Sequence, residues 1–387
     1  MRRIILWALR LIIALALAAA LIGIWKRAEI TRLLAVNSLF SAEKIVHNFS
    51  HMNAAFLSAP VPRGTGPVSP LPQGTPQALP TNAPQWIADR AVTSLLVLQD
   101  GKITHESYYL GTEPGDLRIS WSVAKSYLSA LIGILLHDGT IASIDDPVIR
   151  YAPALTNSAY AKASIRNVLN MASGVRFNED YLDFHSDINR MGRVLALGGR
   201  MDDFAAAQKD SIAAPGQRWQ YVSIDTHVLS MVIRGATGRS IPALLSQHII
   251  TPLGVESAPY YVTDGTGVAF VLGGLNLTTR DYARFGQMIL QGGRWQDRQI
   301  VPQDWITAST TPSAPTDAGQ SGYGYQWWIP KDATPREYMA RGVYGQYIYL
   351  NEATGTVIVT TAADRAFRNP GVDAQNVAMF RRIAHRR

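Results

Sequence analysis

Cysteine is absent from the 387 residues of this chain. Its absence excludes disulfides, thiolate metal sites, a cysteine nucleophile and a lipidated cysteine. The G-x-S-x-G elbow, the H-E-x-x-H zinc helix and the glycine loop that cradles phosphate are absent too. His47 and His51 have i,i+4 spacing but lack a third ligand candidate, so we predict neither a metal nor a cofactor.

A basic excess is missing from the body of the chain. The formal net charge is +7, yet residues 1–32 carry six cations and one acid, and the last seven residues add four arginines. The body between these ends is slightly acidic, which gives no support to a phosphate backbone as a partner. We therefore predict that the chain binds no nucleic acid.

One long apolar run lies at the N-terminus, over residues 4–25, interrupted only by Arg10. As a helix it spans about 33 Å, enough to cross a hydrocarbon core. The arginines on its N-terminal side predict a single-pass anchor in the cell inner membrane, with the body on the exported, periplasmic side. The alternative is a signal peptide cleaved near residues 18–20, which would leave a secreted periplasmic protein.

Proline is concentrated between residues 59 and 84, which hold eight. This composition is typical of an extended linker or a wrapping segment, and a juxtamembrane helix is predicted before it, over 28–58. The predicted organisation is an anchor or signal segment at 1–27, a helix and linker at 28–84, and one globular domain at 85–387.

Strand patterns occur at both ends of that domain. Residues 93–111 alternate around Asp100-Gly101 and predict a hairpin. Similar patterns return at 322–329, 337–350 and 355–363, with a helix predicted over 372–385, whereas helical patterns dominate 122–310. We predict an α/β fold of the α+β type, with one antiparallel sheet built from N- and C-terminal strands beside an α-rich lobe.

The pattern S-x-x-K occurs twice, at Ser41–Lys44 and at Ser122–Lys125. Only the second copy opens a helix that is apolar nearly all round, so Lys125 is predicted to be buried on its first turn. Residues i and i+3 share a helix face, which brings the lysine amine within reach of the serine hydroxyl. The first copy is predicted to lie on a solvated helix face.

Tyr221 opens another predicted helix after a Pro-Gly turn. A serine hydroxyl needs a base, and lysine at its ordinary pKa of about 10.4 is protonated at neutral pH. A desolvated lysine–tyrosine pair can share the proton, so either the Lys125 amine or the Tyr221 phenolate is a candidate base for Ser122.

At these motifs the chain resembles the serine hydrolases of the β-lactamase fold. These include class C β-lactamases, D-alanyl-D-alanine peptidases, family VIII esterases and, nearest in its motifs, 6-aminohexanoate-dimer hydrolases. The resemblance covers about residues 90–365 and rests on stretches such as SWSVAKSYLSALIGILLHDG, PGQRWQYVSIDTHVLSMVI and GVYGQYIYL. It implies the β-lactamase/transpeptidase-like fold.

The resemblance also implies roles for individual residues. Ser122 would be the acylated nucleophile, Lys125 its base partner and Tyr221 a general acid/base, with Ser223 at the third position of the tyrosine motif. The backbone N–H groups of Ser122 and Gln346 would form the oxyanion hole.

One family motif is missing, because no Lys-Thr-Gly occurs in the chain. The corresponding stretch is interpreted as Val343-Tyr344-Gly345, on a strand. The family lysine helps to hold a substrate carboxylate, so its loss favours small amides or esters over β-lactams and D-Ala-D-Ala peptides.

Several further residues are candidates for contact with substrate. Asp180, Tyr181 and Asp187 lie in a loop whose carboxylates would suit a substrate amine, although a solvated acidic loop explains them equally well. Tyr344 and Gly345 belong to the third motif, and Trp327 and Trp328 are candidate walls of the pocket, with a core position as their alternative.

The sequence thus predicts an exported, membrane-tethered serine hydrolase that cleaves a small amide or ester through an acyl-enzyme. One alternative is a D-Ala-D-Ala carboxypeptidase or β-lactamase acting on cell-wall peptides or β-lactams. Another is a catalytically silent envelope protein that only binds such ligands.

Overall fold

The computed structural model describes residues 2–385, so Met1 and residues 386–387 at the ends of the predicted regions lie outside the described residues. Fifteen α-helices are described within that range: α1 Arg2–Trp25, α2 Arg27–Asn37, α3 Ile45–Asn48, α4 Met52–Ala55, α5 Ala83–Asp89, α6 Ala124–His137, α7 Ile165–Leu169, α8 Asp187–Ala196, α9 Met201–Ala206, α10 Ser223–Thr237, α11 Ile241–Leu245, α12 Thr251–Leu253, α13 Thr279–Leu290, α14 Gln303–Ser309 and α15 Val372–Ala384.

The strands are short except where the main sheet is formed. They are β1 Leu57–Pro60, β2 Val92–Gln99, β3 Lys102–Tyr108, β4 Arg118–Ile119, β5 Tyr260–Thr263, β6 Leu275–Leu277, β7 Arg294–Trp295, β8 Arg298–Gln299, β9 Gly322–Tyr323, β10 Trp328–Ile329, β11 Glu337–Gly342, β12 Gln346–Asn351 and β13 Thr356–Ala362. Short 3₁₀ turns at Trp121–Val123 and Val343–Gly345 lie between elements that the site uses.

The main sheet has seven strands in the order β3-β2-β13-β12-β11-β10-β9, and every pair is antiparallel. Of its two N-terminal strands, β2 pairs directly with the C-terminal strand β13 and β3 pairs with β2, which confirms the predicted closure of one sheet by both ends of the domain. The turn at Asp100-Gly101 has positive φ at both residues, as a tight two-residue hairpin requires.

A helical lobe packs beside the sheet, and its helix α6 is largely buried. Eleven of the fourteen residues of α6 are buried, among them Lys125. Tyr127 of α6 stacks on Phe285 of α13 at 3.6 Å between ring centroids, and Phe285 stacks in turn on Trp327. Because α13 lies on β2, β12 and β13, this aromatic column joins the lobe to the sheet.

The segment before residue 85 is packed on the domain. Strand β1 pairs with β5, Phe49 and Val61 are fully buried, and Gln73 forms a bridge with Ile103 of β3. Of the predicted helix over 28–58, only α2, α3 and α4 are helical, and the chain turns into β1 at residue 57. The proline-rich stretch therefore wraps the body, which was one of its two expected forms.

The predicted strand over 337–350 is wrong in one respect, because two strands and a turn occupy it. Strands β11 and β12 form a hairpin in which Gly342 pairs with Gln346. Between them Tyr344 has φ 61° and Gly345 has φ 88°, which reverse the chain. A tyrosine rarely adopts the left-handed region, so the sequence pattern does not reveal the turn.

Helix α1 is 24 residues long and buries none of them against the body. Among residues 2–385 it is the one helix that is long and apolar enough to cross a membrane, a test that a signal sequence also meets. The structure thus agrees with an N-terminal anchor or signal segment.

Two mid-helix glycines are expected to respond oppositely to alanine. Helix propensity alone favours alanine by about 1 kcal/mol at both. A Cβ at Gly133 of α6 would lie 2.2 Å from Cδ1 of Trp305, whereas one at Gly192 of α8 would have no atom within 4 Å. We expect Gly133→Ala to lower the free energy of unfolding by about 1–3 kcal/mol and Gly192→Ala to raise it slightly, as measured by urea unfolding. Stabilisation by both variants would contradict the packing of α6 against α14.

Candidate active site

The amine of Lys125 is deeply buried in the site. The residue is 1% exposed. Its Nζ lies 3.1 Å from Oγ of Ser122, 2.8 Å from the carbonyl oxygen of Leu272 and 3.5 Å from Oγ of Ser223. None of these three acceptors is a carboxylate, so the amine has neutral hydrogen-bond partners and no direct counter-ion.

Burial therefore determines the protonation of this lysine. Removal from water disfavours the charged form and lowers the pKa of Lys125 to about 7, although the charges of Glu179 and Asp225 act in the opposite direction. Near neutral pH a large fraction of the amine is thus unprotonated and able to accept a proton from Ser122 at 3.1 Å.

Ser122 lies in the 3₁₀ turn that leads into α6, one turn earlier than the α-helix proper. The first residue of this turn, Trp121, has a φ of 42°, in the left-handed region. Strand β11 approaches it closely, since a Cβ on Gly342 would lie 2.7 Å from the carbonyl oxygen of Ser120 and 3.0 Å from the backbone nitrogen of Ser122. Only glycine fits there, and it brings the end of β11 against the serine backbone.

Tyr221 reaches the same point from the start of α10. Its ring stacks on Trp328 at 5.3 Å, and Nζ of Lys125 lies 5.4 Å from the ring centroid. Burial and the charge of Glu179 raise the pKa of the Tyr221 phenol, and a hydrogen bond with the Ser122 side chain partly opposes this rise. The phenol therefore keeps its proton at neutral pH, unlike the neighbouring amine.

Glu179 is a site residue that sequence reasoning missed. Its carboxylate accepts hydrogen bonds from the backbone N–H of Ser223 at 3.0 Å, from the Ser223 hydroxyl and from the Tyr181 hydroxyl at 2.7 Å. Burial raises its pKa while these donors and the Lys125 charge lower it. The only sequence signal was its place in the loop that also holds Asp180 and Tyr181.

A second buried carboxylate lies behind the lysine, on the first turn of α10. Asp225 is fully buried and accepts hydrogen bonds from the hydroxyls of Tyr160 at 2.7 Å and Ser173 at 2.9 Å. Burial raises its pKa to about 7. Together with Glu179 it gives the site two acids whose charges act on the Lys125 amine without touching it.

A cavity of about 680 Å³ opens over Ser122 and Tyr221. Its wall combines aromatic rings with charged groups of both signs. The other residues that line it are Asn178, Glu179, Asp180, Tyr181, Trp328, Arg341, Gly342, Val343, Gly345, Tyr347, Phe367, Arg368, Asn369, Pro370, Gly371 and Asp373.

Some of the residues that the sequence offered for substrate contact line this cavity. Asp180, Tyr181 and Gly345 do so. Asp187 does not: its carboxylate accepts the Asn178 N–H at 2.8 Å and pairs with Arg190, so it shapes the loop instead.

Of the two candidate tryptophans, one lines the cavity and the other lies in the core. Trp327 is 1% exposed and packs in the core between Phe285 and Tyr338, whereas its neighbour Trp328 lines the cavity. Successive residues of an extended chain face opposite sides, so only one of the two can reach the cleft.

Two residues expected to contribute to the site from the third motif, Tyr344 and Gln346, do not border the cavity. Gln346 is buried behind the turn, where its side-chain amide donates to the Ala362 carbonyl at 2.8 Å and to the Tyr344 carbonyl at 3.1 Å. Neither Gln346 nor Tyr344 lines the cavity, and the ring of Tyr344 stacks on Phe40 at 5.1 Å. Of this turn, Val343 and Gly345 border the cavity, and Val343 directly follows Gly342 of β11.

Strand β11, next to Ser122, carries a cationic side chain that lines the cavity, although no Lys-Thr-Gly motif is present. Arg341 of β11 lines the cavity, with Nη2 2.5 Å from Oδ2 of Asp373 and its guanidinium 5.0 Å from the Trp328 ring centroid. Arg341 was not among the predicted site residues, because the expected motif was placed in the turn that follows β11.

Comparison with known proteins agrees with this architecture. The family model described as Beta-lactamase matches residues 85–379. The 6-aminohexanoate-dimer hydrolase of Paenarthrobacter ureafaciens is 29% identical over 343 residues, which cover 83% of this chain and 87% of that protein.

Solved structures show the same fold. A candidate 6-aminohexanoate-dimer hydrolase from Bacillus anthracis superposes with a TM-score of 0.80 at 24% identity, covering 90% of this chain and 95% of the other. A D-stereospecific amidohydrolase from a Streptomyces species gives a TM-score of 0.60 at 19% identity, over 76% and 98% of the two chains.

The depressed pKa of Lys125 predicts a pH-dependent stability. The folded pKa of about 7 lies below the unfolded value of about 10.4, so between these the unfolded chain binds more protons and stability rises with pH. Lys125→Met removes this dependence. The quantity to compare is the unfolding free energy of Lys125→Met minus that of the native chain, measured in denaturant titrations. We expect this difference to fall by about 3 kcal/mol between pH 7 and 9.5, because the native chain gains stability over that range.

Lys162→Met, at an exposed lysine, is the matched control and is expected to follow the native chain at a constant offset. Parallel curves for Lys125→Met and the native chain would mean that the buried amine keeps its proton.

Proposed function

We propose that this chain, which belongs to the beta-lactamase family and is a serine hydrolase of amides or esters, cleaves its substrate through an acyl-enzyme on Ser122. The observation that carries the proposal is the 3.1 Å contact between the Ser122 hydroxyl and the buried Lys125 amine, at a cavity that a substrate can enter. A serine hydroxyl becomes a nucleophile when an adjacent base accepts its proton.

Lys125 is proposed as that base. Its pKa of about 7 matches a neutral working pH, whereas the raised pKa of Tyr221 keeps the phenol protonated. As Oγ of Ser122 bonds to the carbonyl carbon, its proton passes to Nζ of Lys125 and the carbonyl oxygen takes the negative charge. Of the two candidate bases, this proposal favours the amine over the phenolate.

Tyr221 is proposed as the acid that releases the leaving group. Its hydroxyl donates a proton to the departing amine or alcohol as the carbonyl–heteroatom bond breaks, and the Lys125 ammonium restores that proton. Water then attacks the carbonyl carbon of the Ser122 ester. One proton of this water returns to Oγ of Ser122 through Lys125 and Tyr221, and the water oxygen becomes part of the released acid. The cycle consumes one water and regenerates the hydroxyl of Ser122.

The oxyanion is proposed to bind the backbone N–H groups of Ser122 and Val343. Gly342 brings the end of β11 within contact of the Ser122 nitrogen, and Val343 is the next residue to border the cavity. Backbone donors held in place at this position would stabilise the charge as it develops. This donor pair replaces the expected one with Gln346.

The proposed substrate is a short linear amide or ester. The relative from Paenarthrobacter is named for a dimer of an amino acid, and the cavity here offers groups of both signs. Asp180 is exposed at the rim and suits a substrate amine, while Arg341 suits a carboxylate if Asp373 gives way. Trp328 and Tyr221 provide an apolar wall for the chain between them.

The same proposal places the domain outside the inner membrane, tethered by α1. The support is the length and apolar character of α1 and the arginines before it. Cleavage of α1 as a signal sequence would release the same domain into the periplasm.

A panel of substrates tests this function. We expect the native chain to hydrolyse linear ω-amino amides and short-chain esters faster than a chromogenic cephalosporin, followed by release of amine, alcohol or chromophore. Ser122→Ala should lose at least about 10³-fold in kcat/KM because no acyl-enzyme forms. Ser41→Ala is the matched control, since it alters the other S-x-x-K copy and should keep full activity.

A fluorophosphonate probe separates chemistry from substrate choice. Labelling that persists in Ser41→Ala and disappears in Ser122→Ala supports the nucleophile even where no panel member is turned over. Labelling of Ser122→Ala, or cephalosporin turnover above that of every linear amide and ester, would contradict the mechanism or the substrate class respectively.

Glu179 is proposed as a positioning residue that acts on Lys125 through its charge. The carboxylate favours the protonated amine, so Glu179→Gln is expected to lower the pKa of Lys125 further. The acid limb of the kcat/KM profile, where protonation removes the base, should move to lower pH by on the order of 0.5–1 unit.

Asp180→Asn removes the same charge from the next residue, which is exposed at the rim, and should leave the acid limb in place. Equal shifts in both variants would assign the effect to the general charge of the loop. An unmoved limb in Glu179→Gln would exclude the proposed electrostatic role.

A further inference from the structure

Six large apolar side chains are exposed on two touching elements near the cavity mouth. We call them the apolar rim: Ile30, Leu33 and Leu34 on α2, and Leu182, Phe184 and Leu197 on the loop before α8 and at its end. Helix α2 contacts α8. Exposure reaches 84% at Leu182 and 66–67% at Phe184, Leu197 and Leu34, which is unusual for residues of this size.

The exposed stripe on α2 is distinct from the face that packs on the body. Ala35 and Val36 pack on the main core, and Leu39 just after the helix is buried. Ile30, Leu33 and Leu34 follow the i, i+3, i+4 spacing of one helix face. The helix therefore has apolar residues both towards the core and away from it.

The loop that holds Leu182 and Phe184 is fastened to α8. Asn189 donates from its side-chain amide to the carbonyls of Tyr181 at 3.1 Å and Asp183 at 2.7 Å, and Arg193 donates to the carbonyl of Phe184 at 2.8 Å. The guanidinium of Arg193 also lies 4.2 Å from the Phe184 ring centroid. These apolar side chains are thus presented by a fixed frame.

The position and charge of the rim indicate what covers it. Only Lys26 separates α2 from the apolar helix α1, and its ammonium lies 4.5 Å from the Trp25 ring centroid. Tryptophan and lysine together are typical of a membrane–water interface. Residues 26–34, at the start of the rim next to α1, carry three cations and one acid, a balance that complements anionic lipid headgroups.

The rim also adjoins the cleft. Leu182 directly follows Asp180 and Tyr181, which line the cavity. On the other side α2 leads within three residues to Phe40, whose ring stacks on Tyr344 in the turn beside the cavity. Both elements of the rim thus lead along the chain to residues that line the cavity or lie beside it.

We propose that the apolar rim docks on the phospholipid bilayer that α1 enters, so that the Ser122 cavity opens at the membrane surface. The inference rests on the proposed anchoring and is independent of the proposed chemistry. Its consequence is that substrates reach the cleft along the bilayer surface, where amphiphilic amides and esters concentrate.

Single-cysteine labelling tests the docking in the full chain, because the native protein has no cysteine. Leu182→Cys and Leu197→Cys carry a nitroxide label in nanodiscs of phosphatidylcholine and phosphatidylglycerol. Asp297→Cys, exposed in the turn between β7 and β8, is the matched control. We expect the ratio of oxygen to nickel-chelate collision rates to be at least threefold higher at the two rim positions than at the control.

A fourth label, Leu15→Cys within α1, separates the two hypotheses. Lipid exposure at Leu15 with water-like values at Leu182 and Leu197 would overturn the docking while leaving the anchor intact. Water-like values at all of them would overturn both. Spin–spin broadening at the rim that grows with protein density, without lipid exposure, would assign the surface to a second copy of this chain and would also overturn the docking.

Discussion

The burial of one amine organises this site. The three acceptors around Nζ of Lys125 come from three separate parts of the chain: the turn before α6, the loop at Leu272 and the start of α10. Water is excluded only if these parts meet closely, and the lowered pKa depends on that exclusion. The packing of the lobe is therefore a condition of the chemistry, since a small gap would readmit water and restore an ordinary lysine.

The sequence revealed the parts of the site that follow from local rules. Ser122 and Lys125 were distinguished from Ser41 and Lys44 by the apolar helix that follows them, and α6 is buried as that pattern predicts. Tyr221 was distinguished by its place at a helix start. The hairpin at Asp100-Gly101 and the closure of the sheet by β13 also follow from patterning, because alternation and turn residues were both present.

Other features depend on contacts between distant segments, which local patterns do not encode. Glu179 accepts a hydrogen bond from Ser223, forty-four residues away, so nothing in its own neighbourhood marks it. The turn at Tyr344 is hidden because its left-handed residue is a tyrosine, stabilised by stacking on Phe40 from the N-terminal segment. The choice between Trp327 and Trp328 needed the register of β10, which sequence alternation leaves ambiguous by one residue.

The N-terminal segment links these observations. The family match begins at residue 85, yet Phe40 and Phe49 pack on Trp121 and Tyr344, on either side of the serine turn. Buried Arg118 adds hydrogen bonds from its guanidinium to the Val46 carbonyl at 2.6 Å and to the Ser50 hydroxyl at 2.8 Å.

The N-terminal segment is therefore packed rigidly on the domain. It differs from a flexible linker, whose end-to-end distance varies with its length. The distance between the end of α1 and the cleft is then set by side-chain packing. Because the same aromatic rings brace the Tyr344 turn, any force that displaces this segment also strains the backbone beside Val343. The proposed position at the membrane and the proposed oxyanion site therefore depend on one contact surface.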